Sequence, residues 1–235
     1  MKAFRLLTRR MNKLKTVIVP IVMAAALIAA APGAEALPLA PGGIVPAIGI
    51  PFPGGTELDS VSYVSQSSAS LTVDVASAVF RNGAGTLDFY YQVSNHSVRN
   101  RVHRLTGSDF SGFITDVWYV TNGAAVSCDA CPGDFFVNGT QAPLSVDRDT
   151  FGEVVGFNFP NPGFELLPGQ TSVLLLVRTN ATDYVPGFVS VINSGTVTQP
   201  AFAPAAAVTP EPASMVLFGI GLLGTGAAMR RKRKA

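Results

Sequence analysis

The chain has 235 residues, 48% of them hydrophobic and 14% charged, a size that suits one ordinary domain plus processing segments. Its formal charge of +2 hides a segregation: residues 37–209 hold six arginines, no lysine and thirteen acids, a net of −7, while the other cations sit at the two ends. An acidic central region repels phosphate backbones and so excludes nucleic acid as a partner, and the missing lysines exclude lysine-based covalent catalysis there.

Residues 1–36 have the grammar of a secretory signal peptide. A positive segment runs to Lys15, an apolar segment runs from Thr16 through Ala31, and Ala34-Glu35-Ala36 supplies the small-x-small pattern that signal peptidase requires, with cleavage before Leu37. Met11 is an alternative start, since Met11-Asn12-Lys13-Leu14-Lys15 is already a sufficient basic segment. An uncleaved anchor is the competing reading, but an apolar core of ~15 residues broken by Pro20 is short for a span. Residues 37–55, rich in Pro and Gly, are expected to form an extended leader, lying on the domain surface or mobile.

From about residue 56 the pattern is β. Ser70–Val75 and Thr86–Val93 alternate apolar and polar residues with period two, and Asn82-Gly83-Ala84-Gly85 between them predicts a hairpin or meander. Further strands are expected over 113–120, 153–159, 172–178 and 187–192, punctuated by Asn-Gly and Pro-Gly turns. Leu174-Leu175-Leu176 is continuous, as in a strand buried on both faces. These strands over residues 56–193 predict an all-β domain, a two-sheet β-sandwich of immunoglobulin-like or jelly-roll type, with a closed barrel as the alternative. Residues 194–209, with Pro200, Pro204 and Ala205-Ala206-Ala207, read as a short linker.

The C-terminus carries three signals in order. Pro210-Glu211-Pro212 is followed by an uncharged run from Ala213 to Met229 and then by Arg230, Arg231, Lys232, Arg233 and Lys234. The run would span ~26 Å as a transmembrane helix, and the basic cluster would stay cytoplasmic by the positive-inside rule. That orientation places the acidic domain outside the cytoplasmic membrane. Pro210-Glu211-Pro212-Ala213-Ser214, the Gly/Leu-rich run and Arg230–Arg233 together resemble the PEP-CTERM sorting signal of Gram-negative bacteria, over residues 210–235. The resemblance implies recognition of Pro210-Glu211-Pro212 by an exosortase, a membrane-embedded cysteine transpeptidase-like enzyme. It also implies removal of the tail and delivery to the cell surface or an extracellular polysaccharide matrix. Gly85–Gln92 and Leu167–Ser172, followed by Thr179-Asn180-Ala181 and Tyr184, are similar to segments of uncharacterised PEP-CTERM cargo domains, an association that carries no activity.

Within the domain, Cys128 and Cys131 are the only cysteines, and in an exported protein they are expected to form a disulfide that shapes a loop. Pro132-Gly133 directly afterwards argues against a redox helix, and no second ligand pair or following His supports zinc or haem. Asp147-Arg148-Asp149-Thr150-Phe151-Gly152 imitates the start of an EF-hand, but Phe151 and Asn158 stand where oxygen ligands belong. Calcium held by Asp129, Asp134, Asp147 and Asp149 is the metal alternative to solvated loop acids, and no cofactor is expected. Arg99–Arg104 is the one basic island, read as a solvated face pairing with acids, with anionic polysaccharide binding as the alternative. Tyr90, Tyr91, Trp118 and Tyr119 offer a sugar-stacking platform if some face outward, although alternation puts one of each pair in the core.

No Gly-x-Ser-x-Gly, phosphate loop or His-Glu-x-x-His occurs. The expectation is a non-enzymatic surface or matrix protein. A carbohydrate-binding module of the exopolysaccharide matrix and a hydrolase with converged carboxylates are the competing readings.

Overall fold

A computed structural model describes residues 36–205. Here the chain forms β1 (Leu37–Pro38), β2 (Ile44–Pro46), β3 (Gly49–Ile50), β4 (Thr56–Ser67), β5 (Thr72–Arg81), β6 (Leu87–Asn95) and β7 (Arg104–Gly107). It continues with β8 (Thr115–Val120), a 3₁₀ turn (Gly123–Ala125), β9 (Ser145–Arg148), β10 (Val155–Asn158), β11 (Leu174–Thr179), β12 (Asp183–Ile192) and β13 (Thr196–Ala205). The signal segment through Glu35, including Ala34, lies outside the described residues. So do Pro210, Glu211, Pro212, the run 213–229 and the basic residues 230–234.

The strands form two sheets and so a sandwich rather than a closed barrel. One is ordered β1-β8-β11-β6-β5-β4, with β3 also paired to β8, and the other β13-β12-β7-β10-β9-β2. Pairing is antiparallel except for β3 against β8. Alternation explains the interior: Val73, Val75 and Val79 of β5, Phe89 and Tyr91 of β6, and Leu175 and Val177 of β11 meet Leu105, Val146, Phe157, Val189 and Val191 of the other sheet. Burying each such side chain contributes roughly 1.5–3 kcal/mol.

The seven-stranded sheet is also covered on its outer face. Ala78, Phe80, Tyr90, Trp118, Leu174 and Leu176 form a second core with Ile50, Phe52, Val126, Cys128, Cys131 and Phe136. The lid consists of the segment before β4 and the long connection from β8 to β9. Gly139 lets that connection approach β11, since a Cβ there would sit 1.7 Å from the Ser172 carbonyl oxygen.

Two segment assignments are corrected. The expected surface leader 37–55 is woven into both sheets, with Leu37 opposite Val117, Ile44 opposite Asp147 and Gly49 opposite Tyr119. The expected linker 194–209 contains β13, which pairs with β12 over ten residues, from Thr196 opposite Ile192 to Ala205 opposite Asp183. Prolines are compatible with this because β13 is an edge strand with one paired side.

Register defines the two ends of the sandwich. The β5–β6 turn, the β7–β8 connection, the β9–β10 turn, the β11–β12 connection and Ala205 share one end. The loop from β6 to β7 belongs to the opposite end.

Candidate functional site

Tyr90, Leu176 and Trp118 stand in register across β6, β11 and β8, so their side chains share the outer face of the seven-stranded sheet. The lid buries that face. Tyr90 and Tyr91 are 0% exposed and Trp118 1%, while Tyr119 is half-buried against the sandwich interior. The sugar-stacking platform expected at these four residues is therefore overturned. Tyr91 points inward, where its hydroxyl donates to the Phe202 carbonyl at 3.3 Å, and Tyr90 and Trp118 point outward into the second core. Burial pushes both tyrosine hydroxyls well above their ordinary range, reinforced by Asp88 at Tyr90 and by Asp109 at Tyr91.

Beside this row lies a charged network. Asp88, 0% exposed, accepts from Arg178 Nε at 2.8 Å and Nη2 at 2.7 Å, and from the Asn82 amide at 2.8 Å. The Arg178 guanidinium lies 4.9 Å from the Trp118 ring centroid, a cation–π contact closing one side of the second core. Hydrogen bonding to Asp88 raises the Arg178 pKa, which holds the guanidinium in its charged form.

The lid loop is shaped by local bonds. The Cys128 and Cys131 sulfurs are joined, with Cα atoms 5.2 Å apart, and the Cys131 amide donates to the Cys128 carbonyl at 2.8 Å. Its outer edge leans on β4, where the Asp129 amide donates to Glu57 and the Ala130 amide to Ser60 Oγ, both at 2.9 Å. Its far end is held by Gln92, whose amide donates to the Val137 carbonyl at 2.8 Å and accepts from the Val137 N–H at 3.1 Å. Between lid and sheet runs a groove of 160 Å³ whose polar wall includes Asp74, Gln92 and Ser94. Val64, Phe135 and Val137, each about half exposed, form its apolar rim.

The acids considered for calcium fall into two separate places. Asp129 and Asp134 belong to the lid loop, whereas Asp147 and Asp149 belong to the six-stranded sheet and its β9–β10 turn. Among the described residues, no three His, Cys, Asp or Glu side chains are grouped to hold a metal ion. Asp147 accepts from Arg104 Nη2 at 2.8 Å and also from Asn158, and Asp149 accepts from the Val154 amide at 2.9 Å. The basic island divides in the same way, with Arg104 on Asp147 and Arg101 on Glu165 at 2.6 Å.

Sequence reasoning passed over Arg148, which is 3% exposed. Its guanidinium donates to the carbonyls of Phe110 (2.6 Å), Gly152 (2.8 and 3.0 Å), Phe113 (3.1 Å) and Leu39 (3.3 Å), and to Thr115 Oγ1 (3.0 Å). Burial lowers its pKa, opposed by the charge of Asp149. No spacing in the sequence announces this staple, because its acceptors are mostly main-chain carbonyls.

The sorting signal starts shortly after the last described strand. The PEP-CTERM protein-sorting motif matches residues 208–234, so only residues 206 and 207 separate it from the end of β13 at Ala205. The chain is thus an exported protein of the kind that an exosortase processes from a membrane-anchored precursor. It carries the PEP-CTERM sorting signal. No curated protein and no solved structure matches the chain.

Proposed function

We propose that this protein is a non-catalytic structural or interaction module delivered to the cell surface or extracellular matrix. Signal peptidase would cut before Leu37 and exosortase at Pro210-Glu211-Pro212. The observation that carries the reading is the sorting motif at 208–234 following directly on an acidic β-sandwich. The lack of catalysis is supported by the use of its charges: Asp88, Asp147 and Glu165 each hold an arginine within the fold. Deleting residues 210–212, or the exosortase, should leave a full-length membrane-retained form; normal maturation in both backgrounds would refute the sorting claim.

The groove under the lid favours exopolysaccharide contact as a second reading. Phe135 at its rim offers a half-exposed ring, and Asp74, Gln92 and Ser94 offer polar atoms along its wall. A glycan array with residues 37–209 and a Phe135→Ala variant tests it, with and without calcium. Binding unaffected by the substitution, or none on any glycan, removes this reading.

A further inference from the structure

The end of the sandwich from which the sorting tail departs carries exposed apolar points that no described residue covers. Phe151, at the tip of the β9–β10 turn, is 81% exposed, and Ile114, just before β8, is 67% exposed. Val185, 44% exposed, lies two residues from the Asp183–Ala205 pair at the exit. These points sit on a stiff platform. Arg148 bonds the carbonyls of Phe113 and Gly152, the immediate neighbours of Ile114 and Phe151, and so clamps the two connections together. The Ile114 amide donates in turn to Asn180 Oδ1 at 2.9 Å, tying in the β11–β12 connection.

Chain length decides what these points meet. Seven residues, 206 to 212, separate the last strand from the apolar run that begins at Ala213. Fully extended they reach at most ~25 Å. The ten residues of β12 alone span ~33 Å, so a precursor anchored by its tail cannot turn its far end to the bilayer. Of the two ends, the exit end is the one that can face it.

We propose that this end, with Ile114 and Phe151 as its apolar contacts, rests in the headgroup layer of the membrane until the tail is cut. The proposal rests on the anchored precursor. Apolar side chains at such an interface gain by burying area among headgroups and upper acyl chains. Exposed Asp109, Glu153 and Asp183 at the same end oppose anionic lipid, which keeps the contact weak. A weak contact suits this step: the short tether supplies a high effective concentration, and severing it frees the domain.

The test uses residues 37–235, the precursor that signal peptidase leaves, in phosphatidylcholine vesicles containing brominated acyl chains, with Phe151→Trp compared against Val98→Trp. Val98 is 92% exposed in the β6–β7 loop at the opposite end, and native Trp118 is buried and gives a constant background. Flotation with the vesicles reports anchoring, and bromine quenching reports docking. The expected result is flotation of both variants with loss of the added emission for Phe151→Trp alone. Flotation with both variants quenched, or neither, overturns the docking. A Phe151→Trp variant that is unquenched by lipid yet crosslinks from this end to added exosortase also overturns it, assigning the surface to the enzyme. Failure to float overturns the anchored precursor itself, and the docking falls with it.

Discussion

Replacing Arg148 by Met removes a buried guanidinium while keeping most of its stem. Of its acceptors, the Leu39 carbonyl also receives the Thr115 hydroxyl at 2.8 Å and the Phe110 carbonyl also receives the Phe113 amide at 3.2 Å. The part-buried carbonyl of Phe113 and the buried carbonyl of Gly152 are left without their principal donor. Each such orphan costs about 1–3 kcal/mol. The gross loss of about 2–6 kcal/mol is reduced because methionine no longer has to be stripped of ionic hydration. The expected net destabilisation is about 3 kcal/mol. In urea, with a slope of about 2 kcal/mol per molar, the midpoint of the domain should fall by about 1.5 M at unchanged slope. Arg148→Lys should recover only part of this, since an ammonium offers three donors and no planar fork. Hydrogen exchange should quicken in the 108–114 and 149–154 connections before the sandwich interior loosens. A midpoint shift below about 0.25 M for Arg148→Met, the size of an ordinary surface substitution, would refute the staple.

Stability should fall in acid. Burial raises the Asp147 carboxyl, but hydrogen bonds from Arg104 and Asn158 and the Arg104 charge outweigh it and hold the group below its ordinary value. Such a depressed carboxylate contributes stability that is fully present above the unfolded value near ~4 and is lost as pH falls through the lower folded value. Urea midpoints against pH should flatten on this acid side in Asp147→Asn. Asp116 acts in the opposite sense just above the ordinary value, because burial raises its carboxyl. Reducing Cys128–Cys131 opens a loop of sequence separation 3, which limits the entropic loss to about 2 kcal/mol. Limited proteolysis should then cut in the lid loop first, and a cut pattern unchanged by reduction would contradict the loop-shaping role. A chain ended at residue 195 should fail to fold, because β13 buries Val197, Ala201, Phe202 and Ala203 and accepts the Tyr91 hydroxyl, whereas one ended at 205 should fold. Equal melting curves for the two would show that β13 is dispensable.

Period two made β5 and β6 legible, the continuous apolar run Leu174-Leu175-Leu176 marked β11, and apolar runs bounded by turn residues gave β8, β10 and β12. Of the strands that escaped notice, β7 and β9 do alternate, burying Leu105 and Val146, but are only four residues long, and the others lack a regular apolar face or carry residues of another grammar. β4 is long but mostly polar, an edge strand with two register shifts, between Glu57 and Asp59 and between Tyr63 and Gln66. β13 contains Pro200 and Pro204, and β1, β2 and β3 are two or three residues long and depend on partners far along the chain. Their pairing is decided by the sheets they join, not by any local preference.

The aromatic residues show why the expected ligand surface moved. Alternation assigns Tyr90 and Trp118 to the face opposite Tyr91 and Tyr119, and the side chains do stand that way. The inference from opposite face to solvent holds only for a sheet with one covered side, and here the lid supplies Val126, Cys128, Cys131 and Phe136 as a second cover. With both faces of this sheet buried, exposed apolar side chains are found on loops and rims and on the other sheet, as at Phe188 of β12. Phe135 beside the groove and Phe151 at the exit end are such residues, 49% and 81% exposed. A single phenylalanine in a loop has no period to mark it, so these positions become legible only after the strands have claimed the rest.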